Sequence, residues 1–196
     1  RSTLFPYTTL FRSLFMVIRA ASGSVRSGSA SASITPTPIR RWQTGGTNMS
    51  TPRVRHVLET AVYCDDLGRT AQFYKQLLDS VPMLETERLV ALDAGGGTVL
   101  LLFQRGRSTQ SLQTSEGLVP AHDGSGPSHF ALAIDAAELL GWETKLAALG
   151  IPIESRVRWA RGGQSVYFRD PDGRSVELAT PGIWPSYMNR DRKSVV

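Results

Sequence analysis

Three side chains that could bind a metal ion stand at matching positions on three predicted strands. His129 begins HFALAID, Glu59 begins ETAVYCD, and Glu177 lies within RSVELAT. Because side chains alternate between the faces of a strand, each lies on a face that otherwise carries small residues such as alanine. One imidazole and two carboxylates suit a divalent ion such as Mn, Fe, Zn, Co or Ni, with positions left for substrate or water. A lone strand histidine or glutamate is more often structural or solvated, but the matching positions favour a shared metal site.

Two copies of one module position these residues. In the first copy a strand begins at Glu59, and the 3.6-residue spacing of Leu67, Ala71, Tyr74 and Leu78 predicts the helix that follows it. Three short strands are predicted next, at residues 83–87, 89–94 and 98–104. The glycines between the last two strands indicate a hairpin turn rather than a phosphate loop, because Lys and Ser/Thr at P-loop spacing are missing.

The pattern restarts after a loop rich in Gly, Ser, Gln and Pro. Asp135 and Glu138 predict a capping box at the start of a second helix, which Gly150 closes. Three strands are predicted after it, at residues 151–159, 164–169 and 174–180. When the last strands of the two copies are aligned, Leu101 lies over Glu177. The second copy therefore has a carboxylate where the first has leucine.

These features resemble the vicinal oxygen chelate superfamily, which includes glyoxalase I, fosfomycin and bleomycin resistance proteins and extradiol dioxygenases. The resemblance rests on ETAVYCDDLGRTAQFYKQLL, SHFALAID and VYFRDPDGRSVELATPG, within residues 57–183. It implies an α+β fold in which two tandem βαβββ modules form a U-shaped curved mixed β-sheet around a metal and substrate cavity, with the helices outside.

The resemblance also implies which residues form the site. His129 and Glu177 take ligand positions, and Glu59 stands where members commonly carry histidine. Leu101 falls where glyoxalase I has another glutamate, which weighs against a four-ligand glyoxalase site. Glu59 in place of histidine weighs against the two-histidine iron site of the dioxygenases. We therefore expect a three-ligand site of Glu59, His129 and Glu177.

The expected function is that of a metal-dependent enzyme acting on a small oxygenated substrate, a glyoxalase-like lyase or isomerase or a dioxygenase-like protein. The ion would chelate two neighbouring oxygens and stabilise an enolate or oxyanion as a Lewis acid, with Glu59 or Glu177 as a catalytic proton shuttle. Candidate substrate contacts are His122, Arg158 and Tyr167. Two alternatives remain: a metal-free, bleomycin-resistance-type binding protein, and an interaction module without a ligand.

Charge and composition limit the partners. Residues 56–190 hold 12 basic and 16 acidic side chains, a net charge of −4, so nucleic acid is not an expected partner. No apolar run reaches the roughly 20 residues that span a bilayer, so we expect no membrane association. Cys64, the single cysteine, excludes an intramolecular disulfide and fits a reducing, cytoplasmic location. Family members often pair, and exposed sheet edges favour a homodimer.

The ends of the chain differ from its middle. Residues 3–13 resemble the translation of a sequencing-library adapter, and residues 191–196 resemble its reverse complement. We therefore expect a natural start at Met49 and a disordered leader over residues 1–48, with a transit peptide or a functional tail as alternatives. The remaining boundaries are expected at 49–104 for the first module, 105–126 for a linker, 127–183 for the second module and 184–196 for a tail.

Overall fold

A computed structural model describes residues 51–187 of the protein. The expectations for residues 1–48 and 191–196 lie outside this range. Within it, no helix has the length and apolar character needed to cross a membrane. Two short strands, β5 (Leu112–Gln113) and β6 (Leu118–Val119), pair in a sheet of their own.

The first module contains one helix and four strands. They are β1 (Glu59–Cys64), α1 (Leu67–Leu78), β2 (Leu84–Glu85), β3 (Leu89–Asp93) and β4 (Val99–Gln104). The sheet order is β1-β4-β3-β2, in which β1 and β4 are parallel and the other pairs are antiparallel. The parallel pair is possible because α1 carries the chain from one side of the sheet to the other.

Local capping explains where α1 begins. The Asp66 side chain accepts a hydrogen bond from the Arg69 backbone N–H at 2.9 Å, which satisfies one free donor of the first turn. The helix ends before Asp79, which adopts a left-handed conformation. Its buried face carries Leu67, Thr70, Ala71, Tyr74 and Leu77. The predicted apolar stripe of this helix is confirmed at its first three positions.

The second module repeats this topology. It contains β7 (His129–Ala133), α2 (Leu139–Ala148), β8 (Ile153–Arg158), β9 (Gln164–Arg169) and β10 (Ser175–Ala179), in the sheet order β7-β10-β9-β8. In the parallel strand pairs, Leu101 stands opposite Ala61 and Glu177 stands opposite Ala131. The α+β class, the tandem βαβββ modules and the alignment of Leu101 with Glu177 are confirmed.

The predicted capping box at Asp135 and Glu138 is wrong. Residues Ala136–Glu138 form a single 3₁₀ turn, and neither the Asp135 nor the Glu138 side chain makes a capping hydrogen bond. The Glu138 backbone N–H instead donates to the Asp135 carbonyl at 3.0 Å. The 3₁₀ turn thus provides a backbone acceptor for the Glu138 N–H, which the Asp135 side chain was expected to bind.

One core joins the two modules. Strand positions such as Val62, Leu102, Val166 and Leu178 face the helices and are almost fully buried. Phe73 of α1 packs against Phe168 of β9, with ring centroids 6.4 Å apart. All three predicted metal ligands lie on the opposite faces: Glu59 shares its face with Tyr63, Leu101 and Phe103, and His129 and Glu177 share theirs with alanine and serine side chains. Each sheet therefore has one core face and one open face.

A buried charged cluster ties the DPDG turn of the second module to α1. Arg174, which is 2% exposed, pairs with Asp170 through Nε–Oδ2 at 2.7 Å and with Asp172 through Nη2–Oδ2 at 2.7 Å. The Tyr74 hydroxyl donates to Asp170 Oδ2 at 2.8 Å, and the Thr70 hydroxyl donates to Asp172 Oδ2 at 2.7 Å. Both carboxylates are therefore paired and hydrogen-bonded away from solvent.

Candidate metal centre

His129 and Glu177 meet on the open face of the second sheet. They lie on the neighbouring parallel strands β7 and β10, where His129 stands opposite Ser175. The imidazole Nε2 lies 3.3 Å from Glu177 Oε2. The Glu177 side chain is 8% exposed and the His129 side chain is 50% exposed, so solvent contacts the pair mainly at the imidazole.

A backbone carbonyl sets the tautomer of His129. Its Nδ1 atom lies 3.1 Å from the carbonyl oxygen of Ser175. Because a carbonyl only accepts, Nδ1 must carry a proton and donate it. The Nε2 atom is then either protonated and paired with Glu177, or it directs a lone pair at the carboxylate. In the second state the pair is favourable only if a cation lies between the two atoms.

The donor set and its spacing fit a metal ion. Ligand bonds of about 2.0–2.1 Å to a tetrahedral ion put two neighbouring donor atoms about 3.3–3.4 Å apart. The Nε2–Oε2 distance of 3.3 Å agrees with that separation. A histidine that donates its other ring proton to a backbone carbonyl is also the usual arrangement of a metal-binding imidazole.

The second oxygen of Glu177 is held by protein groups. The Ser165 hydroxyl donates to Glu177 Oε1 at 2.5 Å, and the indole Nε1–H of Trp159 donates to Ser165 Oγ at 2.7 Å. Tyr167 stands opposite Glu177 on β9, with its ring centroid 6.1 Å from that of His129. Burial, together with the negative charge of Glu177, raises the pKa of Tyr167 above its ordinary value.

Glu59 is not brought together with the other two predicted ligands. It lies exposed at the start of β1, on the open face of the first sheet, opposite Val99. Over residues 51–187, no group of three or more His, Cys, Asp or Glu side chains is arranged to hold a metal. One chain thus presents two of the three predicted ligands side by side.

His122 lies with residues of the first module. Its Nδ1 atom is hydrogen-bonded to the Tyr63 hydroxyl at 2.8 Å, and its ring meets Phe103 edge-on with centroids 4.7 Å apart. Burial and the negative charge of Asp123 raise the pKa of Tyr63. His122 therefore packs against Tyr63 and Phe103 of the first module, and Tyr63 lies on the same face of β1 as Glu59.

The other predicted substrate contacts lie on opposite faces of the second sheet. Tyr167 is on the open face next to Glu177. Arg158 pairs with Gln164 and lies two residues from Arg156, whose side chain reaches Glu143 of α2. Strand alternation therefore places Arg158 on the helix-facing side. Arg158 is not brought together with His129 and Glu177.

Sequence reasoning missed Ser165 and Trp159. Their signal was present in the alternation of QSVYFR, which puts Ser165 on the same face as Tyr167. What could not be read from the sequence is the strand register, which sets Ser165 diagonally next to Glu177.

Comparison with known proteins identifies the family. A family model described as the Glyoxalase/Bleomycin resistance protein/Dioxygenase superfamily matches residues 53–178. The chain belongs to this superfamily, which confirms the resemblance to the vicinal oxygen chelate proteins.

Two kinds of relative are similar to the chain. Metallothiol transferase FosB of Bacillus licheniformis is 28% identical over 120 residues, which cover 61% of this chain and 71% of that protein. FosB of Staphylococcus saprophyticus is 27% identical over 116 residues, covering 59% of this chain and 70% of that protein. The crystal structure of lactoylglutathione lyase from Agrobacterium tumefaciens is 34% identical, with a TM-score of 0.62, and the match covers 68% of this chain and 99% of that one.

Proposed function

We propose that the protein is a metal-dependent enzyme of this superfamily, in which His129 and Glu177 bind a divalent ion. One observation carries this proposal: His129 Nε2 lies 3.3 Å from Glu177 Oε2, while His129 Nδ1 is hydrogen-bonded to the Ser175 carbonyl. Mn, Fe, Zn, Co and Ni all accept this donor set. When bound, the ion would supply Lewis acidity to two neighbouring oxygens of the substrate.

The residues of the open face have separate tasks in this proposal. His129 presents Nε2 because its Nδ1 proton is held by the Ser175 carbonyl. Tyr167, which stands opposite Glu177 on the same face, donates a hydrogen bond to a substrate oxygen. Glu177 is buried, whereas Glu59 is exposed, so Glu59 is the carboxylate that we assign to proton transfer.

We propose a small thiol adduct as the substrate class, because the names of both kinds of relative contain a thiol compound. Lactoylglutathione carries a hydroxyl group next to a thioester carbonyl, and these are two neighbouring oxygens that one ion can chelate. A substrate without the hydroxyl would offer only one oxygen.

Calorimetric titration with two matched ligands tests this function. The protein, loaded with each candidate metal in turn, is titrated with S-lactoylglutathione and with S-propanoylglutathione, which lacks the hydroxyl. We expect at least about tenfold tighter binding of the lactoyl compound, because one further ion contact is worth no less than a charge-assisted hydrogen bond. A chelator should abolish the difference. Equal affinities for both ligands would contradict chelation of this substrate class.

A second copy of the chain is proposed to complete the site with its Glu59. Strands β1 and β7 are the edges of their sheets, and edge strands are ready to pair with another chain. In a two-fold dimer the same contact occurs twice, so each His129–Glu177 pair can meet one Glu59 from the other chain. This arrangement joins the three predicted ligands, which a single chain keeps apart.

Mixed dimers test the shared site. A Glu59→Ala chain and a His129→Ala chain, each with a different affinity tag, are co-expressed, and the dimers that carry both tags are isolated. If ligands come from both chains, each mixed dimer retains one intact site, and about half the metal of the wild-type dimer should be recovered. If all three ligands come from one chain, both sites are damaged, and recovery near zero would contradict the shared site. Glu59→Ala homodimers are the control, because they should bind little metal if Glu59 is a ligand, and wild-type metal content in them would contradict that role.

The second candidate function is metal-free binding of an apolar or cationic molecule. It is favoured by the aromatic side chains of Trp159 and Tyr167, which border the carboxylate of Glu177 on an open face. Ligand binding that is unchanged by a chelator in the same titrations would support this candidate over the enzyme.

A further inference from the structure

The hydroxyl of Ser165 is hydrogen-bonded to two side chains, the indole of Trp159 and the carboxylate of Glu177. Ser165 is 1% exposed on β9, and Ala179 stands directly opposite it, which leaves room for the hydroxyl to reach the diagonal neighbour Glu177. The indole N–H of Trp159 can only donate, so Ser165 Oγ accepts from it. The Ser165 hydroxyl donates its own proton to Oε1 of the Glu177 carboxylate.

Because of these hydrogen bonds, the two carboxylate oxygens of Glu177 have different partners. Oε1 receives the Ser165 proton at 2.5 Å, and Oε2 faces His129 Nε2 at 3.3 Å. A carboxylate held at one oxygen cannot rotate freely about its last bond. Glu177 therefore presents one defined lone-pair oxygen, Oε2, next to the imidazole.

We propose that Ser165, oriented by Trp159, is a positioning residue that makes Glu177 a one-oxygen metal ligand; this rests on the proposed function. Holding Oε1 prevents the carboxylate from binding through both oxygens and leaves a coordination position open for substrate. It also reduces the conformational entropy that the Glu177 side chain loses when a metal binds.

Cobalt titration of the full chain tests the role of Ser165 without an activity assay. Co²⁺ binding is followed by its visible absorption, which depends on the number of ligand atoms. We expect Ser165→Ala to bind Co²⁺ about 10–100-fold more weakly, the usual effect of losing an outer partner of a ligand. Its Co²⁺ spectrum should also change, because the freed carboxylate can bind through both oxygens.

Three further variants make the test specific. Ser165→Thr keeps the hydroxyl and should restore the affinity and the spectrum. Ser155→Ala removes an exposed serine of β8, which stands opposite Tyr167 on the same face of the sheet as Ser165, and this variant should behave as wild type. Trp159→Phe frees the Ser165 hydroxyl to rotate and should weaken Co²⁺ binding as well; it carries the test if Ser165→Ala does not fold.

The outcomes separate the two proposals. If the wild-type chain binds Co²⁺ and the Ser165→Ala variant binds it equally well with the same spectrum, the positioning role alone is overturned. A wild-type chain that binds neither Co²⁺ nor the other candidate metals would overturn the proposed function and the positioning role with it.

Discussion

Replacement of Arg174 by methionine is expected to lower the free energy of unfolding by about 3–5 kcal/mol. Removing one partner of a buried ion pair leaves the other charge without compensation, and this cost is typically of that size. Here two carboxylates, Asp170 and Asp172, lose their partner at once, and their side chains are 0% and 1% exposed. Methionine keeps most of the volume, so the effect would report charge and hydrogen bonding rather than a cavity.

The position of Arg174 between modules adds to the expected loss. Its Nη1 donates to the Tyr63 carbonyl at 2.6 Å, which ties the second module to β1 of the first. Burial alone would raise the pKa of Asp172, but hydrogen bonds from Thr70 and the Asp65 amide and the charge of Arg174 together lower it. The Asp172 carboxylate is therefore held in its charged form, and this charge is left without its partner when Arg174 is removed.

Urea unfolding followed by circular dichroism measures this effect. Arg156→Met is the matched control, because Arg156 makes a comparable two-bond pair with Glu143 on the surface, where such pairs contribute little. Arg174→Lys should recover part of the loss, since it restores the charge without the full hydrogen-bonding geometry. Equal unfolding midpoints for the Arg174→Met and Arg156→Met proteins would contradict the stabilising role of the buried charged cluster.

Loss of His129 or Glu177 is expected to weaken metal binding by more than about 100-fold. Loss of an outer partner of a ligand already costs 10–100-fold, and a ligand itself contributes more. Both His129→Ala and Glu177→Gln should show this, because each leaves its chain with one of the two donors that now face each other at 3.3 Å. Competition with a chromogenic chelator measures the affinities.

Matched controls exclude unspecific effects of losing a histidine or a carboxylate. His56→Ala and Glu87→Gln change exposed residues that belong to no proposed ligand set, and both should bind metal as wild type does. Normal metal binding by Glu177→Gln would contradict its assignment as a ligand. Loss of binding in the controls would show that the metal sits elsewhere.

The sequence predicted the fold because the repeated pattern is local. Alternation in HFALAID and RSVELAT assigned the faces of β7 and β10, and the glycine-bounded last strands aligned Leu101 with Glu177 before any register was known. Strand pairing then placed His129 and Glu177 side by side, as both the alternation and the family resemblance require.

Features that depend on distant contacts were not predictable in the same way. DPDG joins two predicted strands, but its carboxylates meet Thr70 and Tyr74 of α1 only once the modules pack. The helix start at Asp135 had the residue types of a capping box, yet a 3₁₀ turn satisfied the same backbone group. The separation of Glu59 from His129 likewise follows from the hydrogen bonding of two distinct sheets, which alternation alone does not specify.

Elemental mass spectrometry of the purified wild-type chain, prepared without a histidine tag, tests the proposed metal centre most directly. The protein is analysed as isolated and after reconstitution with Mn, Fe, Zn, Co and Ni, followed by removal of free metal. The proposed centre predicts about one equivalent of a single divalent metal per chain. A metal content near zero after every reconstitution would contradict it and would leave the metal-free alternatives, a small-molecule binding protein or an interaction module.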